Sequence, residues 1–129
     1  MPHFHIEYSS NLESVVDVAA LCEVVRATAE AIDTFPMPGI RVRAIKVDHC
    51  AIADGDARHA FVDLIIRLRE GRSEEIKKDA LAQVFDAMKG FLEPAMKENS
   101  IAISAEILDI SDELSAKTGT IRDHLGSGK

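Results

Sequence analysis

The sequence predicts an α+β fold: a four-stranded sheet with two helices on one face, built as two similar β-α-β halves. Three observations predict it. Hydrophobic spacing switches between period two and helical period twice, in the order strand, helix, strand, then strand, helix, strand. Clusters of Pro and Gly, or of Asp and Gly, punctuate the change of period. A length of 129 residues leaves room for one core of this size and no more.

His3 to Tyr8 sets Phe4, Ile6 and Tyr8 on one face and His3, His5 and Glu7 on the other, as a half-buried strand does. Ser9-Ser10-Asn11 supplies a turn and helix caps. From Leu12 the period lengthens, and Val15, Val18, Ala19, Cys22, Val25, Ala29 and Ile32 make one apolar helical stripe. Phe35-Pro36-Met37-Pro38-Gly39 stops that helix. A second strand, rich in β-branched residues, is expected from about Ile40 to Asp48. Ala53-Asp54-Gly55-Asp56 is turn chemistry, and Phe61 to Leu68 is apolar almost throughout, as in a buried strand. Glu70-Gly71-Arg72-Ser73 turns into the second helix, with Ser73 as N-cap and Glu74 and Glu75 in the first turn. Ile76, Ala80, Val84, Ala87, Met88 and Phe91 form its stripe, and Pro94 is expected to bend or end it. Ile101, Ile103, Ala105 and Ile107 alternate as the fourth strand. One domain is therefore expected over residues 1–110, in halves of about 1–52 and 58–110, with a polar tail over 111–129. Right-handed crossovers follow on general grounds. Strands as apolar as Phe61–Leu68 and Ile101–Leu108 should not leave the second sheet face in water, so an obligate oligomer is expected.

Composition narrows the function. Hydrophobic residues at 47% and charged residues at 29% are the balance of a globular chain, not a disordered one. No apolar run approaches the roughly 18–20 residues that cross a bilayer. The N-terminus lacks the basic and then apolar pattern of a secretory signal, so a cytoplasmic location is expected. A net charge of −7 disfavours nucleic acid and membrane surfaces as partners, because both call for a large basic patch. It leaves room for a small anionic substrate held by a few arginines. Cys22 and Cys50 show no paired spacing, as expected of reduced thiols in a cytosolic protein. No phosphate loop, nucleophile elbow, HExxH or paired-cysteine motif occurs, so no cofactor or metal site of the usual kinds is expected. His3 and His5 share a strand face and could together hold a metal, but no further ligand lies near in sequence; a polar pair is the plainer reading. His49, His59 and His124 are isolated.

The remaining chemistry rests on Pro2, Arg41, Arg43 and Arg72. Proline in second place is common and by itself means only a small residue after Met1. Its other reading is chemical. With Met1 attached the Pro2 nitrogen is an amide; with Met1 removed it is a secondary amine fixed at the start of a strand. An α-amino group titrates near 7.7–8.0 in model peptides, and both nearby cations and burial favour its neutral form. A rigid amine held neutral at working pH suits a general base. Arg41 and Arg43 alternate on one strand and face the same way, directly after the Pro-Gly turn, while Arg72 opens the second helix. Singly, each could be a surface solubiliser. Together, in an acidic chain, they could form a pocket for carboxylates, which the arginine fork matches two oxygens at a time.

Several stretches resemble the 5-carboxymethyl-2-hydroxymuconate isomerases of the tautomerase superfamily. They are Met1-Pro2-His3-Phe4, Phe35-Pro36-Met37-Pro38-Gly39-Ile40-Arg41-Val42-Arg43, Ala53-Asp54-Gly55, Ala60-Phe61-Val62 and Gly71-Arg72-Ser73, in order across nearly the whole chain, with the tail after Ser111 the weakest part. Gly71-Arg72-Ser73 before a helix also resembles the corresponding turn of the shorter 4-oxalocrotonate tautomerases. The resemblance implies a homotrimer with its sheets around a central axis and active sites near subunit contacts. It implies cofactor-free isomerisation, in which Pro2 shuttles a proton along a conjugated 2-hydroxydienoate and turns the dienol into a 2-oxo enoate. It gives Arg41 and Arg72 the binding of carboxylate or carbonyl oxygens, with Arg43 a further candidate. Val62 stands about where a second tautomerase unit would start, so the second half lacks a proline amine and one centre per chain follows. Two other readings stay open: a related enzyme acting on another unsaturated 2-oxo acid, and a non-catalytic trimeric ligand-binding protein.

Overall fold

The computed structural model describes residues 1–126, so residues 127–129 of the expected tail lie outside the described residues. The elements are β1 (His3–Ser9), α1 (Val18–Glu30), β2 (Arg41–Val47), β3 (Ala60–Arg69), α2 (Glu74–Glu98) and β4 (Ile101–Ile110). The sheet order is β2-β1-β3-β4, with β1 parallel to β2, β3 parallel to β4, and the two halves joined by the antiparallel pair β1 and β3. Parallel neighbours cannot be joined by a tight turn, so each half needs a crossover, and α1 and α2 supply them. The α+β sheet with two helices predicted from sequence is the fold observed.

One face of the sheet is dry. Phe4, Ile6 and Tyr8 of β1 and Val62, Leu64, Ile66 and Leu68 of β3 are buried against Leu21, Val25 and Ala29 of α1 and Ala80, Val84, Met88 and Leu92 of α2. Both helical sets recur every four residues, so each helix offers a single stripe to the sheet. Each large side chain removed from water here contributes roughly 1.5–3 kcal/mol. Phe4 meets Phe35 edge to face, with ring centroids 5.1 Å apart, which ties the turn after α1 to the start of β1.

The helix ends refine the expectations. Val15 and Leu12 do not open α1: Ser10–Ser14 forms a 3-10 turn, and α1 begins at Val18 because the Asp17 carboxylate accepts from the Ala20 N–H at 3.1 Å. Ser73 caps α2 as expected, accepting from the Ile76 N–H at 3.2 Å. Pro94 does not end α2, which continues to Glu98. The ring removes the N–H that would pair with the Gly90 carbonyl; Gly90 and Pro94 are both exposed, so water is at hand for that carbonyl.

The opposite face differs from the expectation of a bare apolar surface. The run Phe61–Leu68 splits by period two, leaving Phe61, Asp63, Ile65 and Arg67 on the open side. By register these neighbour Glu7, His5 and His3 of β1, and Ser104, Glu106 and Leu108 of β4. The open face is thus polar and charged with apolar residues between, among them Ile45 and Leu108, which are 45% and 43% exposed. Among the described residues no helix is long and apolar enough to cross a membrane. Cys22 is half-buried, Cys50 is exposed, and both are free thiols.

Candidate active site at the N-terminus

The strand pairing gathers several chain segments at one end of the sheet. β1 starts there, and its parallel partner β2 starts beside it, with His3 opposite Arg41. β3 runs the other way and ends there, with His3 opposite Arg67. The turn into α2 follows at once and carries Arg72, while β4 ends alongside, with Ile110 opposite Arg69. Residues far apart in sequence, Pro2, Arg41, Arg69, Arg72 and the segment after Ile110, are therefore neighbours by topology.

Pro2 is buried. Its carbonyl accepts from the Arg41 N–H at 3.2 Å, fixing the chain before β1 against the start of β2. The Pro36–Gly39 turn crosses the same point at close range. A Cβ on Gly39 would stand 3.1 Å from Pro2 Cδ and 3.2 Å from Met1 Cα, so glycine is what lets the turn lie against the N-terminus.

Met1 is half-buried between two cavities and lines both. The first, about 300 Å³, is walled by His3, Arg67, Arg69, Asp112 and Lys117. The second, about 450 Å³, is walled by Pro36, Pro38, Arg41, Lys117, Thr118 and Arg122. The Met1 α-amino group is held below its ordinary value, chiefly by burial and then by the charges of Lys117, Arg72, Arg69 and Arg41. In a chain of net charge −7, Arg41, Arg67, Arg69, Arg72, Lys117 and Arg122 make this end of the sheet locally cationic.

The arginines named from sequence are not equivalent. Arg41 is half-buried, lines the larger cavity, and spends one N–H on the Gly39 carbonyl at 3.2 Å. Arg72 is half-buried and donates to the Arg69 carbonyl at 3.1 Å; it borders neither cavity, yet its charge reaches the α-amino group. Arg43 lies outside the site. It is exposed on the open sheet face, where its guanidinium is 2.7 Å from His5 Nε2 and 3.4 Å from His3 Nδ1. Burial first, then Arg43, Arg41 and Arg67, push the His3 imidazole down to about 4, so it is neutral near pH 7. The His5 imidazole is lowered too, by burial and then by Arg43 and Arg67. The two imidazoles thus border an arginine, and among the described residues no three His, Cys, Asp or Glu side chains form a metal-binding group.

Sequence reasoning missed Arg67, Arg69, Lys117 and Arg122. The first two had a signal: Arg67-Leu68-Arg69 alternates at the end of the apolar strand, two positions before Gly71-Arg72. Lys117 and Arg122 had none, because they follow β4 in a stretch without periodicity. Chemically, the arrangement can keep an amine neutral and ready to accept a proton, and it can hold anionic oxygens on either side of that amine.

Comparisons with known proteins show the family of the chain. The family model described as 5-carboxymethyl-2-hydroxymuconate isomerase matches residues 2–125. A 5-carboxymethyl-2-hydroxymuconate Delta-isomerase of Escherichia coli is 32% identical over 121 residues, covering 94% of this chain and 96% of that protein. A crystal structure of a 5-carboxymethyl-2-hydroxymuconate delta-isomerase superposes with a TM-score of 0.90 at 28% identity, covering 100% of this chain and 95% of the other. The 5-carboxymethyl-2-hydroxymuconate isomerase of Deinococcus radiodurans R1 gives 0.85 at 30% identity, covering 95% of this chain and 92% of the other. Fused 4-OT chains solved as symmetric trimers, 17% and 16% identical, share the fold alone, at TM-scores of 0.60 and 0.62. A match across nearly the whole chain, to the model and to proteins of one description, leads to a single conclusion: this chain belongs to the 5-carboxymethyl-2-hydroxymuconate isomerase family.

Proposed function

We propose that the chain, once Met1 is removed, is a cytoplasmic 5-carboxymethyl-2-hydroxymuconate delta-isomerase of aromatic-acid breakdown, with Pro2 as its acid–base group. The neutral Pro2 amine takes the proton of the 2-hydroxyl. The O–H electron pair forms the 2-oxo group, the C2–C3 double bond moves to C3–C4, and the C4–C5 pair takes the proton back from the prolinium at C5. Atoms and electrons balance within the substrate and the amine, and no cofactor is needed. Arg41 and Arg72 hold carboxylate or carbonyl oxygens and stabilise the charge that spreads over them during the transfer.

The observation that supports this reading is the setting of the N-terminus: Pro2 is buried directly after the Met1 α-amino group, which burial and the charges of Lys117, Arg72, Arg69 and Arg41 lower, and a Pro2 amine freed by loss of Met1 would stand among the same cations. A base must be unprotonated to act, and burial among cations favours that form. The test is an ultraviolet assay with 5-carboxymethyl-2-hydroxymuconate, following decay of the dienol chromophore. Enzyme-dependent decay well above the spontaneous rate is expected; decay at the spontaneous rate would leave the ligand-binding alternative in its place.

The proposed assembly is a homotrimer. Its support is the partly apolar open sheet face, with Ile45 and Leu108 exposed, together with the family. Light scattering at micromolar concentration is expected to give the mass of three chains. A stable monomer would remove both the assembly and the placement of sites at subunit contacts.

A further inference from the structure

We propose that Lys117, carried by the segment after β4, binds a carboxylate of the substrate remote from the reacting end and so sets a preference for polyanionic substrates. The inference rests on the isomerase reading above and adds a residue to it that neither the pattern of the sequence nor the strands supply.

The segment is held in place before it reaches the site. Glu70 N–H donates to the Ile110 carbonyl at 3.0 Å, and Asp112 N–H donates to the Glu70 carboxylate at 2.6 Å. The Arg69 guanidinium grips the Asp112 carboxylate at two points, 3.0 Å and 3.1 Å. From this clamp the chain passes over Met1 and continues along the second cavity to the short turn Ile121–His124. The clamp has a chemical consequence: Arg69 spends its fork on Asp112 and has little left for a ligand.

Lys117 is differently placed. Of the cations that wall the two cavities it alone lines both. It is exposed and makes no ion pair or hydrogen bond among the described residues. Its charge acts on the α-amino group ahead of those of the three arginines. Met1 is the other residue that the two cavities share, so its removal would open space beside Lys117 at the N-terminus. A substituted muconate bearing a carboxymethyl group carries three carboxylates, and no single arginine at this end of the sheet can meet all of them. Arg41 and Lys117, which both wall the second cavity, can meet two of them.

The test compares kcat and KM of Met1-processed enzyme for two substrates. One is 5-carboxymethyl-2-hydroxymuconate; the other is a 2-hydroxydienoate with a single carboxylate beside the hydroxyl. Lys117→Ala is expected to raise KM for the first about tenfold, the loss of one charge-assisted contact in a solvent-facing position, with kcat within about twofold. The second substrate should change by less than about twofold, and Lys117→Arg should restore most of the loss, since charge and reach are kept. Lys89→Ala, an exposed lysine of α2, removes the same charge far from the site and should change neither. An unchanged KM for the tricarboxylate in Lys117→Ala, or an equal loss for both substrates, would overturn the proposal. If the wild type turns over neither substrate, the isomerase reading fails separately. Calorimetry with propane-1,2,3-tricarboxylate then decides the point: about tenfold weaker binding in Lys117→Ala supports the role of Lys117, and equal binding ends it.

Discussion

A chain that keeps Met1 is expected to isomerise its substrate about 10²- to 10⁴-fold more slowly than the processed chain, the usual contribution of a positioned general base. The cause is electronic. In the Met1–Pro2 peptide the nitrogen lone pair is delocalised into the carbonyl and accepts no proton at working pH. The fold is not at stake, because Met1 already fits beside Gly39 and between the two cavities with Pro2 buried behind it. The comparison is made between protein shown by intact mass spectrometry to lack Met1 and protein with an uncleavable N-terminal extension. Melting temperature and assembly should match in the two forms while kcat/KM falls. Equal rates would remove Pro2 from the mechanism. Pro2→Ala is a weaker probe, since removal of Met1 would still leave an amine there.

Arg41→Ala is expected to lower kcat/KM by about ten- to a hundredfold, the loss of one charge-assisted bond to an anionic oxygen worth roughly 1.5–3 kcal/mol. Arg72→Ala is expected to fall in the same range. Stability should change little in either, because each guanidinium donates one hydrogen bond to a neighbouring backbone carbonyl and neither side chain is in the core. Raised ionic strength should also slow the wild type modestly, by screening the approach of an anion to the cationic end of the sheet. Wild-type kinetics in both variants would return these arginines to an ordinary surface role. Steady-state assays paired with circular dichroism separate the two outcomes.

The order of elements is legible in the sequence because each element declares its own period. Phe4, Ile6 and Tyr8 face the core as their alternation requires, and Ala80, Val84 and Met88 as their spacing of four requires. Element ends are less legible. The start of α1 depends on one hydrogen bond from Ala20 to Asp17, and the passage of α2 through Pro94 depends on which side meets water. The open face is misjudged for a related reason: Phe61–Ile66 scans as one apolar run, yet Asp63 and, just beyond, Arg67 fall on the same side as Phe61 and Ile65.

The candidate site divides along similar lines. The sequence ties Arg41 to Pro2 only through the family resemblance; the close approach of Gly39 to the N-terminus, which brings the start of β2 beside Pro2, enters with the structure. Arg43 shares that strand face, but its guanidinium settles against His5 rather than the cavities. Arg67 and Arg69 enter only through the antiparallel register of β1 with β3, which no local pattern encodes. Lys117 enters through the clamp of Asp112 by Arg69, a contact between residues 43 apart in sequence.

The most direct test of the central claim is the titration of the Pro2 nitrogen itself, followed by nitrogen-15 resonance in processed protein labelled at proline. Of the four prolines only Pro2 can then carry a nitrogen that titrates, so the assignment is unambiguous. Pro2 is buried, and the cations that lower the Met1 α-amino group one residue away, Lys117, Arg72, Arg69 and Arg41, should likewise lower the midpoint of the freed Pro2 amine below the ordinary α-amino range of about 7.7–8.0, with the rate rising with pH through the same midpoint as the amine loses its proton. A midpoint at or above that range would mean a protonated nitrogen at neutral pH. Pro2 could not then be the base, whatever the fold and the family.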